Sequence, residues 1–170
     1  AGATLRDAAH PKARVRASAI PDLVRWARSD QREECVSTLI ALVEKDEDLE
    51  VRAAAALALA DAEATGALPV LLRAAASGLP RLRQMALVAI GELAEPGDGE
   101  ALAAVRIALA SEAPALRFQA LVAAGRLMPS PELASWLGEA SSDGESRLRY
   151  IACRIIEERF FSDAAVDETS

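Results

Sequence analysis

Few side chains in this sequence of 170 residues could do chemistry, and they lie far apart along it. His10 is the only histidine, which excludes a histidine-rich zinc, iron or copper site; a Cys–His or Ser–His–Asp set would have to use this one residue. Cys35 and Cys153 belong to no CxxC pair, which favours two small buried thiols in a reducing compartment over a disulfide. The sequence therefore predicts neither a metal site nor nucleophilic catalysis.

Paired carboxylates and glycine-rich turns are the remaining features that could support catalysis or phosphate binding. The pairs at 33–34 and 157–158 are glutamates that could act as general acid and base, but we expect them on solvated helix faces. The segment 97–99 follows Pro96 and lacks the lysine-containing pattern of a phosphate-binding loop, so it indicates a connection between helices. We predict no catalytic residue and no cofactor.

The charge balance argues against nucleic acid and anionic membranes as partners. With 19 Lys and Arg against 26 Asp and Glu, the formal net charge is −7, and such a chain is repelled by phosphates and anionic lipids. The longest tight apolar run, residues 53–60, is far shorter than the ~18–20 residues that span a bilayer. Because no basic stretch followed by an apolar one marks a signal peptide, we expect a cytoplasmic protein without membrane insertion.

A repeated pattern organises the chain. An aliphatic residue followed by arginine recurs five times, and successive arginines are 36, 31, 34 and 32 residues apart. The residues three, four and seven positions after each arginine are apolar or small, which places them on one face of a helix. The arginines are Arg16, Arg52, Arg83, Arg117 and Arg149, and the residue three positions later is always alanine: Ala19, Ala55, Ala86, Ala120 and Ala152. A methyl group in this column lets a neighbouring helix approach closely, whereas a larger side chain would overpack the seam.

A second apolar stripe lies upstream of the arginine in the last four repeats, so each repeat reads as two amphipathic helices joined by a short turn. Alanine and leucine dominate a composition with 52% hydrophobic and 4% aromatic residues, which favours closely packed helices over a sheet. We predict an all-α fold, a right-handed α-solenoid (superhelix) of about four and a half helical hairpins. It is expected as one domain over residues 1–161, followed by a disordered acidic tail at 162–170. The predicted hairpins are about 2–28, 31–62, 66–94, 98–127 and 131–159, and Pro21 predicts a kink or break near Ile20.

These columns resemble HEAT repeats, and more narrowly the short bacterial HEAT-like repeats of the phycobilisome-lyase type. The segments 46–55 and 143–152 carry the resemblance, which extends over about residues 10–159. In that family an aspartate and an arginine tend to form a hydrogen-bonded ladder between neighbouring repeats. Asp46 and Asp143 match the acid, and the five arginines match the base. The acid position departs from the family pattern at His10, Ser77 and Ser111.

The second helices of such solenoids line a concave side, which is the usual binding surface. Positions two and nine residues after the arginines point away from the core stripe and predict a partner-binding face: Arg25, Asp61, Met85, Glu92, Gln119, Arg126, Ile151 and Glu158. Phe118 and Tyr150 either pack between repeats or line a shallow apolar groove suited to a partner helix or an extended segment. The predicted function is a non-enzymatic scaffold that binds a partner protein or peptide. The resemblance also implies two alternatives: an enzyme or accessory factor of the phycobilin lyase kind, and a HEAT-like nucleic-acid-binding protein.

Overall fold

The computed structural model describes residues 2–161, so the predicted tail at 162–170 lies outside the described residues. Within that range the chain forms ten α-helices and no β-strand. The all-α repeat fold predicted from the arginine and alanine columns is confirmed. The chain divides into two compact units, the first ending at Ala94 and the second beginning at Glu95.

The first unit contains three pairs of helices, in which α1 packs on α2, α3 on α4, and α5 on α6. The second helices also pack on one another, α2 on α4 and α4 on α6. A 3-10 turn, Thr65–Ala67, leads into the third pair. The helices are α1 (Gly2–Ala8), α2 (Ala13–Ala27), α3 (Arg32–Lys45), α4 (Leu49–Asp61), α5 (Leu68–Ala75) and α6 (Pro80–Leu93).

The second unit repeats the arrangement with two pairs, α7 on α8 and α9 on α10, and the second helices α8 and α10 pack together. A π-helical turn, Glu157–Phe161, follows the last helix. The helices are α7 (Gly99–Leu109), α8 (Pro114–Leu127), α9 (Ser130–Ser141) and α10 (Ser146–Ile156). No helix among residues 2–161 combines the length and the apolar character needed to cross a membrane.

Local chemistry explains where the helices begin. Asp48 accepts hydrogen bonds from the backbone N–H groups of Glu50 and Val51 at the start of α4, and Asp98 accepts one from Ala101 at the start of α7. Pro80 and Pro114 occupy the first turns of α6 and α8, where the missing N–H costs no intrahelical bond. At the starts of α4 and α7 an aspartate therefore accepts from backbone N–H groups that would otherwise be unpaired. At the starts of α6 and α8 the proline has no N–H group to pair.

The alanine column is buried in every repeat. Ala19 is 4% exposed, and the alanines of the other four repeats are fully buried. Further along the second helices of the second unit, a Cβ added at Gly125 would lie 3.2 Å from Cγ2 of Ile155. Small residues thus set how closely α8 approaches α10, because a larger side chain would have to displace its neighbour.

The predicted break near Ile20 is wrong, because α2 runs from Ala13 to Ala27 with Pro21 inside it, and the alternative of a kink there stays a prediction. Pro21 cannot donate to the carbonyl of Ala17, but both residues are exposed. Water can therefore satisfy the carbonyl oxygen that the proline leaves without an intrahelical donor.

The prediction of two buried thiols holds for Cys35 and is wrong for Cys153, although both cysteines are free. Burial raises the pKa of the Cys35 thiol, and the nearby Glu34 carboxylate adds to that shift. Cys153 stands in a column whose other members, such as Leu121 at 2% exposure, are buried. It is exposed because it lies in the last described hairpin, where no further described hairpin covers it.

Candidate functional site

The turn before each second helix is built by the residue six positions before the arginine. In every repeat the side chain of that residue accepts a hydrogen bond from the backbone N–H two residues later. His10 Nδ1 accepts from Lys12 at 3.0 Å in this way, so the ring substitutes for an aspartate or serine side chain. The equivalent acceptors are Asp46 (2.8 Å), Ser77 (3.4 Å), Ser111 (3.2 Å) and Asp143 (2.9 Å).

The arginine column closes these turns. Arg16, Arg117 and Arg149 each donate from Nη1 to the carbonyl oxygens of the two residues that begin their own turn, at 2.8–3.1 Å. Arg52 and Arg83 instead donate from Nε to carbonyl oxygens at the end of the preceding first helix, those of Val43 and Ala75. The arginine therefore satisfies carbonyl groups of the turn itself in three repeats and carbonyl groups that a helix end leaves without donors in the other two.

Two of these arginines also reach the aspartate of the next hairpin. In the first unit Arg16 binds Asp46 through Nε and Nη2, both at 2.7 Å from the carboxylate oxygens. In the second unit Nη2 of Arg117 lies 3.1 and 3.4 Å from the two oxygens of Asp143. These are rungs of the ladder that the resemblance implied, and both occur where the next repeat carries an aspartate.

Opposing effects act on the pKa of Asp46. Burial raises this pKa, but the hydrogen bonds from Arg16 and from the backbone N–H of Asp48, together with the positive charges of Arg16 and Arg52, lower it by more, so the net shift is downward. The same pair raises the pKa of Arg16. The rung is therefore charged on both sides at neutral pH, and each charged group takes part in several hydrogen bonds.

A cleft between α8 and α10 in the second unit carries the most exposed aromatic side chain that the structure describes outside the final turn. The Tyr150 ring is 61% exposed and Phe118 is half-buried. The hydroxyl of Tyr150 accepts a long hydrogen bond from Arg154, at 3.4 Å. The cleft has a volume of about 940 Å³, and its lining residues are Pro114, Ala115, Phe118, Glu145, Ser146, Arg147 and Tyr150.

A second groove, of about 670 Å³, lies in the first unit between the first helices α1 and α3. Leu5 and Ala8 line it on one side and Leu42 on the other, and the pair of Arg16 and Asp46 contributes to its lining. This groove holds no aromatic side chain and lies on first helices, whereas the partner-binding face was predicted on second helices.

Known proteins share this helical-repeat architecture. The family model for HEAT repeats matches residues 3–91, just over half of the sequence. The chain belongs to the HEAT-repeat family. The residues that carried the resemblance, the arginine column and its turn acceptors, are those that the structure joins by hydrogen bonds.

Solved structures share the HEAT-repeat fold along nearly the whole chain. A chain from the complex of CpcE and CpcF of phycocyanin lyase from Nostoc sp. PCC7120 is 22% identical, with a TM-score of 0.70, covering 91% of this chain and 96% of that one. Two engineered proteins are 18% and 19% identical with TM-scores of 0.66, covering 90% and 91% of this chain and 76% and 78% of theirs. These likenesses show the fold. No curated protein matches the sequence.

In the first unit of this HEAT-repeat protein, the predicted face residues lie on α2, α4 and α6. Arg25 is exposed and pairs with Asp22 at 3.0 Å, while its guanidinium carbon lies 5.7 Å from the centre of the Trp26 ring. Asp61 is exposed, and its carbonyl oxygen accepts from Arg28. Met85 is half-buried and Glu92 is exposed.

In the second unit, Gln119 and Ile151 are half-buried, one residue beyond the two aromatic residues of the cleft. Arg126 and Glu158 are exposed, and Glu158 pairs with Arg154 at 2.6 Å. Whether these eight residues contact a partner stays a prediction. The predicted partner-binding face did not include Arg147, which stands two residues before the arginine column and lines the cleft from α10.

The potential catalytic groups are dispersed in the structure. His10 Nδ1 is occupied by its turn, and Glu33 and Glu34 are exposed near the start of α3. Within residues 2–161 no three His, Cys, Asp or Glu side chains come together in a way that could hold a metal ion. The buried charges of Arg16 and Asp46 take part in the turns and in the rung between them.

Proposed function

We propose that this HEAT-repeat chain is a non-enzymatic scaffold that binds a partner protein or peptide on its second helices, with the cleft between α8 and α10 as the main contact. The observation that carries the proposal is the pair of aromatic side chains in that cleft. Tyr150 is 61% exposed, although a side chain of this size gains considerable free energy from burial. Aromatic and arginine side chains dominate the binding energy of protein interfaces, and here Tyr150 and Arg147 project from one helix into one cleft.

The shape and chemistry of the cleft suit a helix or an extended segment. Phe118 and Tyr150 supply apolar surface, while Glu145 and Arg147 supply one charge of each sign at the rim. A partner that presents apolar side chains flanked by polar ones would bury the rings and keep the charges hydrated. The contact would extend to Gln119 and Ile151, which follow the two aromatic residues in sequence and belong to the predicted partner-binding face.

The comparison with phycocyanin lyase supports this proposal. The similar chain there comes from a complex of two proteins, CpcE and CpcF, so a HEAT-repeat chain of this fold does assemble with another protein. By analogy we propose a protein partner for this chain, without nucleic acid or a membrane as the ligand. The acidic balance of the sequence favours the same choice.

The experiment is affinity capture of partners by the intact chain, followed by a direct binding titration with the captured protein. Tyr150→Ser removes an exposed ring from the cleft and should weaken binding about tenfold or more, as the loss of a binding hot spot does. Ile107→Ser is a matched control, because Ile107 is a 69% exposed apolar residue on the first helix α7. A partner that binds both variants with wild-type affinity would contradict the cleft assignment.

A second candidate function is that of an enzyme or accessory factor of the phycobilin lyase kind. The structural similarity to a chain of the phycocyanin lyase complex favours it, and the open cleft of about 940 Å³ offers room for a small ligand. Mixing the protein with free bilin should then shift the visible absorption band of the bilin, and Tyr150→Ser should reduce the shift. An unchanged spectrum at high protein concentration would remove this candidate.

A further inference from the structure

The last helix pair exposes positions that are covered in earlier hairpins. Cys153 is exposed, whereas Leu121, four residues after its own arginine in the preceding repeat, is 2% exposed. Ile156 is half-buried, whereas its counterpart Ala124 is fully buried. Within the second unit, the pair α9–α10 covers those positions of α8. The exposed side of α9–α10, called here the terminal edge, is the equivalent surface one repeat later.

Arg149, the column arginine of the terminal edge, makes some of the hydrogen bonds that Arg16 and Arg117 make. Arg149 donates from Nη1 to the carbonyl oxygens of Asp143 and Gly144, at 2.8 and 2.9 Å, as Arg16 and Arg117 do in their own turns. Arg16 and Arg117 then use their remaining donors for the aspartate of the next hairpin. Among residues 2–161, no carboxylate takes that position beside Arg149.

We propose that the terminal edge is a second docking surface, and that its partner is a helical hairpin of another protein with an aspartate in the turn between its helices. Arg149 is already held by its turn in the orientation from which Arg117 binds Asp143. The incoming aspartate completes the rung with charge-assisted hydrogen bonds, and the hairpin covers Cys153 and Ile156. This surface lies on the open side of α9–α10 and is separate from the partner cleft.

A second copy of this chain does not have the required chemistry. Its two aspartates in the correct turn position, Asp46 and Asp143, already accept from Arg16 and Arg117. The first repeat, which a head-to-tail contact would present, has His10 at that position with Lys12 beside it. Arg149 would therefore face a neutral ring and a cation, and charge complementarity favours a different chain.

The test uses a variant of this chain as the probe, because His10 already occupies the turn position. His10→Asp keeps an acceptor for the Lys12 N–H and adds a carboxylate, and Arg149→Ala in the same chain prevents the probe from binding itself. His10→Asn with Arg149→Ala is the matched control, which keeps the turn acceptor without the charge. Binding of each probe to the wild-type chain is measured by sedimentation velocity over a concentration series at low salt.

The wild-type chain should bind the His10→Asp probe at least tenfold more tightly than the His10→Asn probe, and the difference should shrink at high salt. Arg149→Ala in the receiving chain should abolish the preference, once its far-ultraviolet circular dichroism shows that it is folded. Equal binding of the two probes, or no association with either, would overturn the proposal.

The acidic residues 162–170 are the competing occupant of the terminal edge, because they carry Asp163, Asp167 and Glu168. A receiving chain that ends at Phe161 separates the two cases. Under the proposal it binds the His10→Asp probe as the full chain does, within about threefold. Binding that becomes tenfold tighter on truncation would show that the tail occupies the edge, and the hairpin proposal would be wrong.

Discussion

The two rungs of the arginine–aspartate ladder contain the same residue types at the same positions, yet they differ in geometry. In the first unit both distances between Arg16 and Asp46 are 2.7 Å, and the two side chains are 9% and 2% exposed. In the second unit Arg117 lies 3.1 and 3.4 Å from Asp143, and these side chains are 23% and 26% exposed. The repeat pattern therefore determines which residues meet, and we expect local burial to determine how much each contact contributes to stability.

Burial matters because it removes the competition from water. An exposed ion pair exchanges its partner readily for solvent and is screened by salt, whereas a buried pair that loses one member leaves a charge without compensation. We therefore expect the first rung to contribute clearly to the free energy of unfolding and the second to contribute little. Four measurements test this difference between the rungs.

The largest effect should come from the alanine column, which is buried equally in both units. Ala86→Leu and Ala120→Leu each insert three carbons into a fully buried seam, and each should destabilise by about 1–3 kcal/mol. Urea unfolding of the two variants measures this. Similar losses of stability in the two variants would mean that the units differ in their rungs and not in their alanine column. Unchanged stability in both variants would contradict the repeat register.

Asp46→Asn should have the next largest effect. The amide keeps an acceptor for the Asp48 N–H but removes the negative charge from a side chain that is 2% exposed and leaves Arg16 without its bidentate partner. We expect a loss of about 1–2 kcal/mol in the free energy of unfolding, towards the lower end of what hydrogen bonds to charged groups contribute. Equal losses from Asp46→Asn and Asp143→Asn would refute the distinction between the rungs.

Part of the same stabilisation should depend on pH. The folded-state pKa of Asp46 is below its ordinary value of 3.8, so the contribution is fully present above about pH 3.8 and is lost as pH falls through the lower folded value. Urea midpoints measured between pH 5 and pH 2 should therefore fall more steeply for the wild type than for Asp46→Asn. Parallel curves for the two proteins would show that Asp46 does not carry this dependence.

Asp143→Asn should have the smallest effect, below about 1 kcal/mol, because about a quarter of each side chain in its rung is exposed. The asparagine keeps the acceptor for the Glu145 N–H, so the turn before α10 should persist. Added salt should shrink even this small difference, which a urea titration at two ionic strengths would show. A loss as large as that of Asp46→Asn, insensitive to salt, would mean that burial does not separate the rungs.

Much of the fold could be predicted from sequence because its helices and turns depend on residues that are close together in sequence. The positions three, four and seven residues after each arginine share a helix face by geometry alone, so the columns predicted an all-α repeat fold, and the HEAT family came from their resemblance to known repeats. The side chains that accept hydrogen bonds in the turns can also be predicted from sequence, since aspartate and serine before a helix accept from backbone N–H groups. Even His10 fits this rule, with an imidazole nitrogen as the acceptor.

The candidate site was less predictable because exposure depends on neighbours that the local pattern does not specify. Phe118 and Tyr150 occupy the same column, yet one ring is half-buried and the other is 61% exposed. Arg147 belongs to no apolar stripe, so no periodicity singled it out for the cleft. Cys153 matched a buried column but lies on the last described helix, where the covering repeat is missing among the described residues.

Sequence alone was enough to predict the helices, their apolar faces, the small residues of the seam and the turns that join each pair, since each depends on residues within one or two helical turns. Three properties depend on the tertiary structure: one rung is tight and buried while the other is more exposed, a cleft forms between α8 and α10, and no carboxylate among residues 2–161 takes the rung position beside Arg149. Those properties depend on distances between side chains about thirty residues apart in sequence. Such distances are set by how neighbouring hairpins pack, which no single repeat encodes.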